Sequence, residues 1–93
     1  MARHVAWSPE AIEDLEAIPA YIERDSAWYA KAVVSKIVET AETIPAFPEL
    51  GRVVPEVGLD AVRERFVPDY RIIYRIEDAR ILILTIIHSS RLL

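Results

Sequence analysis

The chain has 93 residues, 53% of them hydrophobic and 28% charged, with a formal net charge of −4 and a pI near 5.1. This length predicts one domain over residues 1–93, since domains typically contain roughly 100–150 residues. No apolar run approaches the roughly 20 residues of a membrane-spanning helix, no secretory leader pattern opens the chain, and the lack of cysteine excludes disulfides and thiolate chemistry. We therefore expect a cytoplasmic protein that does not insert into a membrane.

The first predicted elements are a strand and a helix. Alternation over residues 3–7 predicts a short strand. Ser8 as N-cap and Pro9 as first helical residue then predict a helix, with Ile12 and Leu15 on its apolar face. Pro19 would remove one hydrogen bond of this helix, so we expect a kink or a break near Ile18.

A second helix is predicted to begin at an N-cap in Asp25-Ser26 and to end before Pro45. Its apolar residues follow helical spacing: Ala30, Val33, Ile37, Ala41 and Ile44. Because about three polar residues separate the two helices, we expect an antiparallel helical hairpin. Prolines and a glycine over residues 45–55 then indicate a loop.

The second half changes to the two-residue period of strands. Residues 62–67 and 70–76 alternate around a turn at Pro68-Asp69, and residues 81–87 are apolar on both faces, as in a central strand. These three segments predict an antiparallel meander. The residues thus predict an α+β organisation of strand, two helices, loop and meander.

Apolar content and charge both indicate a partner. A domain this small buries only about 60–65% of its unfolded surface, so apolar surface should remain for a partner or a second copy. Residues 1–49 carry four basic and nine acidic side chains (net −5), whereas residues 50–93 carry seven and six (net +1). All seven of the latter are arginines, whose guanidinium suits phosphate or carboxylate.

Six of these seven arginines are the candidate functional residues. The set comprises Arg52, Arg63, Arg65, Arg71, Arg75 and Arg91, with His88 near the end of the last strand. Arg63 and Arg65 share one strand face, as do Arg71 and Arg75, and the strand register decides whether the two pairs meet. One interpretation is an anion-binding face that stabilises a scissile phosphodiester, with His88 as general acid. The alternative is ion pairing with Glu64, Glu56 and Asp69, or capture of an acidic partner.

Other sites have weaker signals. Trp28 and Tyr29 favour core or partner contact over base stacking. Two glycines are too few for a phosphate-binding loop, and no serine lies in a nucleophile elbow. The acidic residues of the first helix indicate a solvated face rather than a metal site. We expect no metal and no cofactor.

Five fragments, in this order and at these spacings, resemble the RelE/ParE superfamily of bacterial type II toxin–antitoxin toxins. They are Trp7-Ser8-Pro9-Glu10-Ala11, Pro48-Glu49-Leu50-Gly51-Arg52, Val62-Arg63-Glu64, Tyr70-Arg71-Ile72-Ile73-Tyr74-Arg75 and His88-Ser89-Ser90-Arg91. The resemblance implies an α+β fold with an antiparallel helical hairpin packed on a twisted antiparallel sheet. It also implies a growth-inhibiting toxin of a plasmid-stabilisation module and a cognate antitoxin. The apolar surplus fits a homodimer of the chain and a heterotetramer with the antitoxin alike.

The superfamily divides by target. RelE-like members are ribosome-dependent mRNA endoribonucleases, and the resemblance maps their basic and acid–base residues onto Arg63 or Arg65, Arg71 and His88. ParE-like members inhibit DNA gyrase without nuclease activity. The chain lacks the nuclease-type lysine cluster and has no aromatic residue after His88, and its charge of −4 disfavours ribosomal RNA. The sequence thus favours a ParE-like gyrase inhibitor, with a RelE-like nuclease or a non-toxic antitoxin-binding member as alternatives.

Overall fold

A computed structural model describes residues 3–22 and 26–93. The helices are α1 (Pro9–Ile22) and α2 (Ala27–Thr43), followed by 3₁₀ turns at Ile44–Ala46 and Pro48–Leu50. The strands are β1 (His4–Trp7), β2 (Arg52–Val53), β3 (Val62–Val67), β4 (Tyr70–Ile76) and β5 (Arg80–His88). No described helix is long and apolar enough to cross a membrane.

The five strands form one sheet in the order β1-β5-β4-β3-β2. The predicted meander of β3, β4 and β5 is confirmed, and β5 is flanked by β4 and β1 as its apolar residues indicated. The sheet is mixed, because β1 pairs with β5 in parallel. In the described residues β1 pairs with β5 alone, so the first strand of the chain lies beside the last strand of the meander.

Both helices begin as predicted. The Ser8 hydroxyl accepts a hydrogen bond from the Ala11 N–H at 3.0 Å, and the Ser26 hydroxyl accepts one from the Tyr29 N–H at 3.1 Å. Asp25, which shared the second predicted cap, lies outside the described residues. The expected break at Pro19 does not occur, since α1 continues to Ile22 and loses at most one hydrogen bond near its end.

The core occupies both faces of the sheet. The helices cover one face, where all five apolar residues predicted for α2 are buried. In α1 the prediction was wrong at Ile12, which is 45% exposed, whereas Ala11 and Ile18 are buried. A smaller cluster on the other face contains Val54, Val62 and Ile73, against which Leu84 and Ile87 pack. A register shift in β4–β5 at Ile73/Tyr74 helps place apolar residues of β5 on both faces.

Gly51 is expected to tolerate no side chain. A Cβ there would clash with the Tyr74 hydroxyl oxygen and would lie only 2.7 Å from the Glu64 carbonyl oxygen. We expect Gly51→Ala to lower the free energy of unfolding by about 1–3 kcal/mol, a typical cost of overpacking, measured by urea denaturation. In a Tyr74→Phe background the loss should be smaller, because the nearest clashing atom is gone. An equal loss in both backgrounds would contradict this contact.

Candidate functional site

A network of two glutamates and two arginines lies on the sheet face opposite the helices. Glu64 on β3 has a fully buried side chain, and its carboxylate accepts hydrogen bonds from Arg52 Nε at 2.5 Å and Arg71 Nε at 2.6 Å. The Arg71 side chain is 5% exposed. Burial of a charge is tolerated only when it is paired and hydrogen-bonded, and Glu64 meets both conditions.

Arg71 connects the sheet to a loop and to the C-terminal residues. Its two terminal amino groups donate to the Glu56 carboxylate at 3.0 and 2.9 Å, and one of them also donates to the Arg91 carbonyl at 3.1 Å. The Leu93 N–H donates to the same Glu56 carboxylate at 2.9 Å. Hydrogen bonding to Glu56 is the main reason that the pKa of Arg71 is raised. All three guanidinium nitrogens of Arg71 therefore donate hydrogen bonds within the protein.

The strand register separates the two predicted arginine pairs. Arg71 lies opposite Phe66, and Arg75 opposite Val62, which places both on the face of Glu64. Arg63 and Arg65 lie opposite Tyr74 and Ile72 and so belong to the other face. The two pairs do not converge on one site.

The remaining candidate arginines have different surroundings. Arg63 donates to three backbone carbonyls, those of Asp60, Glu49 and Gly51, and so fixes the loop before β3. Arg75 pairs with Glu77 at 2.6 Å near the surface. Within the described residues, the Arg65 side chain has no hydrogen bond and no ion pair.

Clefts of about 400 Å³ each lie on either side of the C-terminal residues. The first includes Asp14, Tyr70, His88 and Arg91 in its lining, and the second includes Arg52, Phe66 and Arg91. His88 Nδ1 accepts the Ser90 N–H at 3.2 Å and lies 2.7 Å from the Ser90 hydroxyl, which leaves Nε2 to carry the proton of the neutral ring. The imidazole also packs edge-on against Tyr70, with ring centroids 5.5 Å apart.

Trp28 and Tyr29 lie in the first turn of α2 and are 77% and 42% exposed. They do not belong to the core, so of the predicted uses only contact with a partner or a base remains open. Both residues lie on α2, which covers the sheet face opposite the network of Glu64 and Arg71. In the described residues, no three histidine or acidic side chains converge to hold a metal ion.

Sequence reasoning named Glu64 and Glu56 as pairing partners and Asp69 as a third. The two glutamates do pair with arginines, but Asp69 has no ion pair within the described chain. Instead, Asp69 adopts a φ of 70° in the β3–β4 turn, a conformation that Asp tolerates better than most residues.

The sequence did not indicate a contact between Asp14 on α1 and β5. The Asp14 carboxylate accepts hydrogen bonds from the Thr85 hydroxyl at 2.6 Å and the Ile86 N–H at 3.1 Å. Its place within an acidic helix gave no signal for this contact.

The hydrogen bonds to Glu56 predict that the protein loses stability in acid. Hydrogen bonds from Arg71, and then from the Leu93 N–H, lower the pKa of Glu56 from 4.5 to about 2. A folded-state pKa below the unfolded value stabilises the fold above about pH 4.5, and this contribution is lost as the pH falls towards 2. Glu56→Gln should therefore flatten the dependence of the unfolding free energy on pH in this window, without abolishing it, because the pKa of Glu77 is also lowered. Identical pH slopes for both proteins in urea denaturation would contradict the assignment.

Solved structures share this fold over nearly the whole chain. The chromosomal ParDE toxin–antitoxin system of P. aeruginosa matches with a TM-score of 0.79 and 23% identity, over 96% of this chain and 98% of that one. The toxin–antitoxin complex RelBE2 of Mycobacterium tuberculosis matches with a TM-score of 0.68 and 22% identity, over 96% and 100%. The chain therefore has the same fold as these two solved toxin–antitoxin structures.

The family follows from the sequence match. Residues 5–93 match the family model for the ParE toxin of the type II toxin–antitoxin system parDE. The Toxin RelE2 of Caulobacter vibrioides is 32% identical over 95% of this chain and 97% of its own length. The chain belongs to the ParE toxin family of type II toxin–antitoxin systems.

Proposed function

We propose that this toxin inhibits growth by binding DNA gyrase, and that it does not act as a nuclease. The observation that carries the proposal is the bonding of Arg71. An arginine that stabilises a phosphoryl transition state must present N–H groups to the developing charge. Arg71 is buried and donates instead to Glu64, Glu56 and the Arg91 carbonyl.

Charge supports the same conclusion. Binding to RNA depends mainly on neutralising phosphates, and the chain has a net charge of −4. Of the other candidate arginines, Arg52 pairs with Glu64, Arg75 pairs with Glu77, and Arg63 is bound to backbone carbonyls. In the described residues this leaves Arg65 and Arg91 with side chains free to meet a target. Binding to a protein target requires fewer unpaired arginines than binding to RNA does. Arg52, Arg65, Arg91, Trp28 and Tyr29 are the candidate contact residues for the target or the antitoxin.

We further propose that a cognate antitoxin neutralises the toxin in the cytoplasm, in a module that stabilises a plasmid. The M. tuberculosis relative is a toxin–antitoxin complex. Large apolar side chains that require cover are exposed at several places: Trp28, Phe47, Leu50, Phe66 and Leu92. An antitoxin can bury this surface within a heterotetramer.

The proposal is tested with purified toxin and purified gyrase in a DNA supercoiling assay. We expect inhibition that is reversed by adding the antitoxin, together with a DNA-damage response when the toxin is expressed alone. Full gyrase activity at saturating toxin would refute the proposed target. Absence of any growth effect would instead support a non-toxic antitoxin-binding protein.

A ribosome-dependent endoribonuclease is the second candidate, favoured by the cleft that holds His88, Tyr70 and Arg91. His88→Ala separates the two mechanisms. Under gyrase inhibition we expect growth inhibition to stay within about twofold of the wild type. A general acid contributes about 10²–10⁴-fold to rate, so a nuclease would lose codon-positioned mRNA cleavage, measured by primer extension. Arg80→Ala, a substitution at the opposite end of β5, serves as the control.

A further inference from the structure

The outward face of α2 carries a stripe of exposed residues without partners. The buried side of this helix is formed by Ala30, Val33, Ile37 and Ala41. Successive residues are about 100° apart around a helix, so one set lies within about 100° on the opposite side. We call this set the outward stripe: Trp28, Lys31, Ala32, Ser35, Glu39 and Glu42.

Charge is distributed along the outward stripe with opposite signs at its two ends. Lys31 lies in the first half of α2, and Glu39 and Glu42 lie in the second half. Within the part of the chain that the structure describes, none of these three side chains makes an ion pair or a side-chain hydrogen bond. Lys31 and Glu42 are 11 positions apart, which corresponds to three turns, about 16 Å and an angular offset of only about 20°.

A surface of this kind is complementary to its own copy when the copy runs antiparallel. A two-fold axis between positions 36 and 37 places Lys31 of one chain against the partner's Glu42, and the same pair recurs on the other side of the axis. A parallel arrangement would oppose like charges instead. Ala32 and Ser35 near the middle of the stripe are small enough for two helices to approach closely.

We propose that the outward stripe of α2 is a homodimer interface, in which α2 of a second copy packs antiparallel and forms two reciprocal Lys31–Glu42 ion pairs. With this axis, Trp28 lies opposite position 45, just past the last residue of the partner's α2, and stays available to the target or the antitoxin. Nucleic acid is a poorer occupant, because Glu39 and Glu42 repel phosphate. An antiparallel second copy places its Glu42 against Lys31 and its Lys31 against Glu42, so each charge of the stripe meets one of opposite sign.

Charge reversal tests this interface in the purified full chain by analytical ultracentrifugation. Lys31→Glu and Glu42→Lys should each raise the dimer dissociation constant by at least about tenfold, because both reciprocal pairs become repulsive. An equimolar mixture of the two variants should recover the wild-type constant, since the heterodimer restores attraction in both pairs. Native mass spectrometry should show that the recovered species contains one copy of each variant.

Glu13→Lys on α1 makes the same charge change as Glu42→Lys outside the outward stripe and should leave the dissociation constant unchanged. Circular dichroism checks that each variant folds. The proposal is overturned by a wild type that is monomeric at about 1 mM, by charge reversals without effect, or by a mixture that stays monomeric. It is equally overturned if the stripe binds only antitoxin or only DNA. These outcomes do not depend on gyrase or on toxicity, so they leave the proposed function untouched.

Discussion

Arg71→Met is expected to lower the free energy of unfolding by about 3–5 kcal/mol, the usual cost of leaving a buried charge without its partner. The substitution keeps much of the side-chain volume but removes the guanidinium that faces the buried carboxylate of Glu64. Arg52 remains bonded to Glu64, but its own side chain is 61% exposed and compensates only in part. Urea denaturation monitored by circular dichroism measures the loss.

Arg75→Met is the matched control on the same strand. Arg75 pairs with Glu77, and both side chains reach the solvent. Exposed ion pairs contribute about 0–1 kcal/mol, so this variant should lose less than about 1 kcal/mol. If the two variants lost equal stability, the buried position of Glu64 would not be the source of the effect.

The double variant Arg71→Met/Glu64→Leu connects this network to function. Replacing both members of a buried ion pair by apolar residues is often neutral or stabilising, so the double variant should be more stable than Arg71→Met alone. If Arg71 is structural, as its internal hydrogen bonds indicate, the folded double variant should still inhibit growth. A folded variant that has lost toxicity would assign Arg71 a direct part in the activity and favour the nuclease.

Local periodicity was sufficient to predict α2 and the three long strands. Residues 62–87 contain two turns and a clear two-residue period, and the buried side of α2 repeats every three to four residues. The sequence did not predict β2, which has only two residues and exists through its pairing with β3. Nor did it predict the partner of β1, because that contact joins residues more than 70 positions apart.

The candidate site was predictable in composition but not in arrangement. The sequence identified the arginines and named Glu64 and Glu56 as the ion-pair partners that they could have in place of a bound phosphate. Which arginine meets which glutamate depends on register: Arg71 lies opposite Phe66, and Glu64 opposite Ile73, so the two charges are diagonal neighbours on one face. Exposure of Phe66 has the same origin, since only the structure tells which face of β3 the helices cover.

Tyr74→Ala is expected to cost about 3–5 kcal/mol, in the range measured when a large aromatic side chain is removed from a core. Tyr74 on β4 is fully buried in the helix-side cluster. Burial raises its pKa above 10, so the hydroxyl stays protonated and donates to the Pro48 carbonyl at 2.5 Å. The ring therefore fills the core while the hydroxyl holds the turn that leads into β2.

Tyr74→Phe separates these two contributions, because it keeps the ring and removes only the donor. The Pro48 carbonyl is partly buried, so the loss of its donor should cost at most about 1–3 kcal/mol, and this variant should be intermediate in stability. Phe66→Ala, at a position that is 54% exposed, should cost less than either. If Tyr74→Phe were as damaging as Tyr74→Ala, the hydroxyl and not the packed ring would dominate.

Hydrogen exchange adds a local measurement of the same contact. The Pro48 turn immediately precedes Gly51 and Arg52, and the Arg52 guanidinium reaches Glu64 from β2. Loss of the Tyr74 hydroxyl should therefore increase amide exchange over residues 49–54 in both variants, whereas exchange in α1 should rise only in Tyr74→Ala. Since Tyr74 packs on one face of the sheet and Glu64 on the other, this pattern would show that one side chain of the core positions the arginine network across the sheet.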